Sequence, residues 1–323
     1  YSTNQDVLEA IASEHPIIPL ITEYRQNTKL KSTYIDGLTN VIEPETQRVY
    51  SCFHQTVTAT GRLSSTEPNL QNIPVRTELG KLIRKAFVPA DDRHVLVDAD
   101  YSQIELRVLA HMSGDSAMQE AFRSDMDIHT ITAAQVNGVP PELVTSQMRS
   151  RAKAVNFGIV YGISDFGLSR DLGIPVYEAK RYIESYFRQY PGVEEFMGSL
   201  VVFAKEHGYA RTLMGRRRYL PELNSAKYSV RQFGERVAMN MPIQGTAADI
   251  IKIAMIRVSE ELRKGGFASR LILQVHDELL IDALKSEQTE VMALLKRCMQ
   301  DAYTLDVPLK VDVTAGNSWY ECK

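Results

Sequence analysis

The sequence predicts an α+β fold, an antiparallel sheet interrupted by a long helical insertion. Three observations carry this. β-forming runs cover 94–100, 270–283 and 308–313, with apolar and polar positions alternating along the first two. Residues 115–190, lying between the first run and the second, read as helical, with stops at Gly138-Val139-Pro140-Pro141, Gly162, Gly173 and Pro191. The run at 270–283 divides near His276-Asp277 into two strands joined by a tight turn, which makes that pair antiparallel.

The remaining elements follow in order. Residues 5–13 and 16–31 have helical patterns, the second ending in a Lys-rich turn before Tyr34, and 39–47 reads as a loop around Pro44. Residues 47–58 alternate like a strand, while 60–76 are rich in polar turn formers, the composition of a long working loop. Ser102 opens a helix running to about Met112. A hairpin about Gly215 spans 209–220, and a helix over 226–240 stops before Pro242. A second, amphipathic helix runs from Thr246 to Lys264 and closes on Gly265-Gly266. A helix over 286–304 precedes the final strand. There is no internal repeat or low-complexity tract. The first residue is Tyr1 and not Met, so a fragment of a longer chain is expected.

At 323 residues and 44% apolar, the chain can build a substantial core as a soluble globular protein. Its longest apolar runs are broken by charge well short of the roughly 20 residues a membrane helix needs. Cys52, Cys298 and Cys322 are odd in number and lack metal-finger spacing, which excludes a disulfide framework and a zinc site and implies a cytoplasmic setting. The net charge of −3 conceals two basic stretches. One, over 211–236, holds Arg211, Arg216, Arg217, Arg218, Lys227, Arg231 and Arg236; the other, over 62–85, holds Arg62, Arg76, Lys81, Arg84 and Lys85. Taken alone these are solvated faces. Beside a catalytic site they suit phosphate contact.

Alternation along Val95-Leu96-Val97-Asp98-Ala99-Asp100 places Leu96, Asp98 and Asp100 on one face of a strand. Asp100 therefore stands at the strand's end, either as a turn residue or as a ligand. Asp277, at the hairpin turn, has the same two readings. Jointly the two carboxylates suit Mg²⁺, a hard cation that takes one or two carboxylates plus substrate phosphates. Between them in the chain lie Arg149, Lys153, Phe157 and Tyr161, spaced four apart and drifting about 40° per step around a helix, so they share one broad face. No acid falls between Gln147 and Ile163 to pair with these cations along the helix. A triphosphate would fill that vacancy, with Arg149 and Lys153 on its oxygens and the aromatics against sugar and base. Two metal-suited carboxylates and such a helix point to a nucleic-acid polymerase. Ser102 and Glu105 have capping-box spacing, so Glu105 reads as a cap with room for a second role. His276 reads as a hairpin histidine that hydrogen-bonds, with metal ligation or base chemistry as the alternative. Asn240 and Gln244 flank Pro242 as helix caps, or donate to minor-groove acceptors.

The segments Thr60-Gly61-Arg62-Leu63-Ser64-Ser65, Asn69 to Arg76, Asp100 to Arg107, Arg149 to Gly162, Met241 to Asp249 and Gln274 to Glu278 occur here in this order. Together they make the chain closely resemble the polymerase region of family A DNA polymerases, the bacterial DNA polymerase I type, over nearly its whole length.

The resemblance implies a right-hand polymerase fold with a partial thumb over 1–40, palm over 41–112 and 226–323, and fingers over 113–225. It implies that Asp100 and Asp277 hold two Mg²⁺ ions, with the Tyr101 carbonyl and Glu278 as auxiliary ligands. Arg149, Lys153, Phe157 and Tyr161, with Gln103, Glu105 and His129, become dNTP contacts. Lys153 becomes the proton donor to departing pyrophosphate, and Glu105 the barrier to a ribose 2′-hydroxyl. Arg62, Arg76, Arg236, Asn240, Gln244 and His276 become contacts to primer-template DNA. The implied enzyme is a monomeric DNA-directed DNA polymerase of the cytoplasm and nucleoid. Two rival functions are a single-subunit RNA polymerase, against which Glu105 and the Gln-Asn-Ile-Pro segment argue, and a catalytically silent DNA-binding scaffold, against which the intact aspartates argue.

Overall fold

The computed structural model describes residues 1–75 and 77–322. Its strands are β1 (Cys52–His54), β2 (Ser64–Thr66), β3 (His94–Tyr101), β4 (Tyr209–Arg211), β5 (Arg217–Tyr219), β6 (Arg270–Val275), β7 (Glu278–Leu284) and β8 (Val311–Gly316). The central sheet is four-stranded and antiparallel in the order β6-β7-β3-β8, while β1-β2 and β4-β5 are separate short pairs. Among the described residues no helix is long and apolar enough to cross a membrane.

The alternation in β3 decides how the sheet packs. Val95, Val97 and Ala99 enter one core with Leu279, Ile281, Ala283, Val291 and Leu295, a core continued by Ile128, Val155 and Leu168 of the helical insertion. Leu96 enters a second core with Leu273, Val275, Leu280 and Trp319, under Leu70, Ile73 and Tyr34. Asp98 and Asp100 share the Leu96 face, so two carboxylates face the smaller core and the end of the strand.

The insertion contains the helices Ile128–Asn137, Ser146–Val160, Asp165–Leu172, Val176–Gln189 and Pro191–His207. Gly138 and Gly173 terminate two of them in the left-handed conformation, at φ 65° and 63°. Asp115 joins the insertion's two ends. It caps the Ser116–Arg123 helix through Met118 N–H at 2.9 Å and accepts from Gly192 N–H at 3.0 Å.

Four expectations need correction. The Lys-rich turn before Tyr34 is absent: the chain stays helical as a π-helix over Leu30–Asp36, because Tyr34 docks in the second core and donates to the Asn72 carbonyl at 2.7 Å. The strand expected over 47–58 shortens to Cys52–His54, with one isolated bridge between Ile42 and Val49. The Ser102–Glu105 capping box does not form. Ser102 N–H instead continues the β3–β8 pairing by donating to the Lys310 carbonyl at 2.9 Å, and the helix starts at Ile104 behind Gln103, which is left-handed at φ 58° with no side-chain cap.

The fourth correction concerns Pro242, which breaks nothing. One helix runs over Tyr228–Lys264, 37 residues, so neither Asn240 nor Gln244 is a cap. Proline forfeits one backbone bond, but Ala238, Met241 and Ile243 are fully buried around it and packing holds the axis. Thr246 Oγ1 donates to the Pro242 carbonyl at 2.6 Å and accepts from Leu213 N–H at 3.1 Å, tying the helix to the β4–β5 hairpin.

Gly245 sits where that helix, the hairpin and the Thr60-Gly61-Arg62 loop meet. A Cβ there would lie 2.6 Å from Thr212 Cγ2 and 3.2 Å from the Thr60 carbonyl oxygen. Thr212 cannot swing clear without losing its bond to Asp249 at 2.8 Å. Gly245→Ala is therefore expected to destabilise the chain by about 1–3 kcal/mol, outweighing alanine's helix preference of about 1 kcal/mol. Urea unfolding checks this, and an unchanged or higher midpoint would mean that the three segments have room to spare.

Candidate active site

β6 and β7 are joined by the two-residue turn His276-Asp277, with His276 in the left-handed region at φ 55°. The register pairs Asp100 with Glu278, and Tyr101 N–H donates to the Asp277 carbonyl at 3.2 Å. This one bond pins the turn against the end of β3, which brings Asp277 beside Asp100. The Asp277 carboxyl is pushed up to about 7, first by burial and then by the charge of Asp100, with Glu105 adding to the rise. Tyr101 presents only its backbone here, since its buried side chain donates to the Met299 carbonyl at 2.7 Å.

Glu278, opposite Asp100 on the same face of the sheet, turns back into the smaller core. Its Oε1 accepts from Trp319 Nε1 at 2.6 Å and lies 3.9 Å from Arg84 Nη1, while the Arg84 guanidinium rests 3.9 Å from the Trp319 ring centroid. Arg84 is only 5% exposed. Burial lowers its pKa, and the charges of Glu278, Asp98 and Asp100 oppose that, so Arg84 is the counter-charge behind the acids. Among the described residues no group of three or more His, Cys, Asp or Glu side chains is placed to hold a metal ion. What the site offers is two carboxylates whose mutual repulsion a cation would relieve, the donor set a hard divalent ion uses when phosphates complete its shell.

Opposite the turn lies the Ser146–Val160 helix. A cavity of about 390 Å³ is lined by Arg62, Gln103, Ile104, Glu105, His129, Arg149, Lys153, Phe157, Tyr161, His276 and Asp277. All seven residues singled out for a nucleotide thus surround one cavity with Asp277, although the seven come from three separate stretches of chain and Asp277 from a fourth. Lys153 is exposed and Phe157 half-buried. Gly162, at φ 65°, permits the close approach of this helix end to the Tyr228–Lys264 helix, where a Cβ would come within 2.5 Å of Met239 and 3.2 Å of Arg236 Cγ.

Arg149 does have an acid. Its Nε donates to Asp127 Oδ2 at 2.5 Å, a partner 22 residues away that no helix spacing could reveal. The vacancy read along the helix is therefore filled from the neighbouring one. His129 is buried, its ring 5.7 Å from Phe157, and its Nδ1 meets the Asn156 amide at 2.8 Å. Burial, reinforced by Arg149 and Lys153, lowers its pKa to about 4, so the ring is neutral at pH 7.

Glu105, expected as a cap, instead bridges the cavity. Its Oε1 pairs with Arg62 and its Oε2 accepts from Tyr161 Oη at 3.1 Å. Burial and then the Glu105 charge push the Tyr161 hydroxyl up to about 12, and Gln244 reaches the same hydroxyl. Asn240 and Arg236 lie on the same long helix as Gln244, and Asn240 Nδ2 has no hydrogen-bond partner among the described residues. Arg76 lies outside the described residues.

Two supports escaped the sequence. Gln71 Nε2 donates to Gln274 Oε1 at 3.0 Å, and Gln274 Nε2 donates to the His276 carbonyl at 2.6 Å, so a buried amide pair props the turn from below. Arg84 was visible only as one base among several, and Trp319 only as the single tryptophan.

The model of DNA polymerase family A matches residues 1–321. The chain is 53% identical over 324 residues to DNA polymerase I of Bacillus caldotenax and 54% identical over 323 residues to that of Bacillus subtilis, in each case over all of this chain and 37% of the relative. It thus spans well under half the length of these curated relatives. Among solved structures, the polymerase domain of Pol1 from M. smegmatis, in complex with DNA primer-template and dNTP, superimposes with a TM-score of 0.95 at 46% identity, covering all of this chain and 57% of that one. The chain belongs to DNA polymerase family A.

Proposed function

We propose that the chain catalyses DNA-templated DNA synthesis, adding a deoxynucleotide to a primer 3′-hydroxyl with release of pyrophosphate. The observation that carries this is the single cavity in which Arg149, Lys153, Phe157 and Tyr161 face Asp277. A triphosphate laid along the helix would meet the two cations, and its sugar and base would lie against Phe157 and Tyr161. Its α-phosphate would then fall towards the aspartates. The structural relative held with primer-template and dNTP supports the choice of ligands.

In this reading Asp100 and Asp277 hold two Mg²⁺ ions, helped by the Tyr101 carbonyl, with Glu278 behind them as an auxiliary acid. Held by these carboxylates, such ions would supply the charge that activates the attacking hydroxyl and stabilises the leaving oxygen. The protein's own part is placement and charge. Lys153, an exposed ammonium on the cavity wall, neutralises the phosphates and gives its proton to the departing pyrophosphate. His129, neutral and braced by Asn156, serves as a hydrogen-bond partner without adding charge. Glu105 walls the sugar's 2′ side, and its ties to Arg62 and Tyr161 fix that wall. Arg62, Arg76, Arg236, Asn240, Gln244 and His276 contact primer-template near the growing end. Residues 113–225 act as fingers that close over a correctly paired nucleotide, against a palm of 41–112 and 226–323, with 1–40 as part of a thumb. The enzyme works as a monomer on cytoplasmic, nucleoid DNA.

Asp100→Ala and Asp277→Ala are each expected to cut Mg²⁺-dependent primer extension by at least about a thousandfold while leaving duplex affinity within about threefold, since chemistry needs both carboxylates and grip needs neither. Gel-based extension beside fluorescence anisotropy of labelled primer-template checks this. Substantial synthesis by either variant would sink the assignment.

Glu105→Ala should raise ribonucleotide incorporation relative to deoxynucleotide by about tenfold or more, and should also lower kcat/KM for dNTP, because Arg62 and Tyr161 lose their shared anchor. Single-nucleotide kinetics with matched rNTP and dNTP give both numbers. An unchanged preference would remove the steric role of Glu105.

A further inference from the structure

Asp127 holds Arg149 from a fixed point in the neighbouring helix. It is the N-cap of the Ile128–Asn137 helix: Oδ1 accepts from His129 N–H at 3.1 Å, while Oδ2 accepts from Thr130 Oγ1 at 2.7 Å and from Arg149 Nε at 2.5 Å. Two of those bonds come from its own helix, so the carboxylate is anchored. Arg149, with 45% of its side chain exposed, is the partner free to move. Burial pushes the Asp127 carboxyl up, but the bonds from Arg149, Thr130 and His129 outweigh it and leave it below its ordinary value, hence ionised at pH 7.

The choice of atom matters. A guanidinium has five donors, and this contact spends Nε, leaving the Nη1/Nη2 edge that binds an oxyanion with two parallel bonds. Asp127 and a phosphate would therefore occupy different edges of one planar group, and neither has to displace the other. Without the aspartate, a half-exposed arginine samples many rotamers, and binding has to freeze them. Asp127 also begins the helix that carries His129, two residues on, against Phe157. One carboxylate thus registers two cavity-lining helices.

We infer that Asp127 is a positioning residue for nucleotide binding, holding Arg149 by its Nε so that the Nη edge is presented to a phosphate of the incoming triphosphate. This rests on the proposed reading of the cavity as the dNTP site. The acid touches no substrate. It sets the orientation of a residue that does, and its effect belongs in nucleotide affinity and not in chemistry.

The test is single-nucleotide incorporation kinetics on the full chain for wild type, Asp127→Asn, Arg149→Ala and the double variant. Asparagine is itself a good N-cap, so D127N keeps the helix start through Oδ1 and replaces the charged oxygen that accepts from Arg149 and Thr130 with a neutral NH2 that cannot accept. D127N should raise KM for dNTP by about five- to tenfold, equally for all four bases, with kcat within about twofold and primer-template Kd unchanged. In the R149A background the same change should cost nothing further. Thr130→Val, which loosens Asp127 and leaves its charge, should raise KM by a smaller factor. A D127N enzyme with wild-type KM, or one whose penalty is the same with and without Arg149, overturns the inference while leaving the nucleotide site standing. If R149A itself leaves KM unmoved, the nucleotide reading of the cavity fails, and the role of Asp127 fails with it.

Discussion

The site depends on the antiparallel register of β3 with β7. Pairing Asp100 with Glu278 sets the two-residue turn at His276-Asp277 beyond the end of β3, where the Tyr101 amide can take the Asp277 carbonyl. A slip of one residue would send Asp100 to the opposite face and Leu96 out of the smaller core. That core, built on Leu96, Leu273, Leu280 and Trp319, therefore fixes the carboxylates as firmly as any contact they make themselves. The amide pair Gln71-Gln274 adds a prop from a segment some 200 residues earlier, so the turn is held from below as well as from the side.

Register alone would leave a cluster of acids in poor contact with water. Asp98 and Glu278 are buried, and Asp100 and Asp277 are half-buried beside them. Two buried or half-buried arginines answer this. Arg84 lies behind the acids against Trp319, and Arg62 lies in front, paired with Glu105. Compensation is incomplete, since the Asp277 carboxyl still rises to about 7. Asp277 and Glu105 line the cavity. Across it stand Arg149 and Lys153, so the cavity has an acidic floor and a basic wall, an arrangement complementary to a phosphate chain bridged to cations.

Much of this was legible in the chain. The hairpin at His276-Asp277, the face carrying Asp98 and Asp100, and the helix column of Arg149, Lys153, Phe157 and Tyr161 all follow from periods of two and four, which are local properties. Local rules also misled. Ser102 and Glu105 have the spacing of a capping box, yet strand pairing at Ser102 and the left-handed Gln103 free Glu105 to reach Arg62, 43 residues away. Pro242 has the mark of a helix stop, yet the packing of Ala238, Met241 and Ile243 carries the helix through. Asp127, Arg84 and Trp319 were out of reach for a different reason. Each acts on a partner that only the folded chain supplies, and nothing in its own neighbourhood of sequence marks it.

β3 and the β6–β7 turn bring Asp100 and Asp277 together at the edge of the cavity, where the proposed cations would be shared by both carboxylates. Anomalous diffraction from crystals of the chain grown with primer-template, a non-reacting dNTP analogue and Mn²⁺ in place of Mg²⁺ tests it most directly. A strong peak is expected within about 2.0–2.3 Å of a carboxylate oxygen from both Asp100 and Asp277. A saturating Mn²⁺ soak that leaves this position without a peak, or that places the ion on other residues, would contradict it.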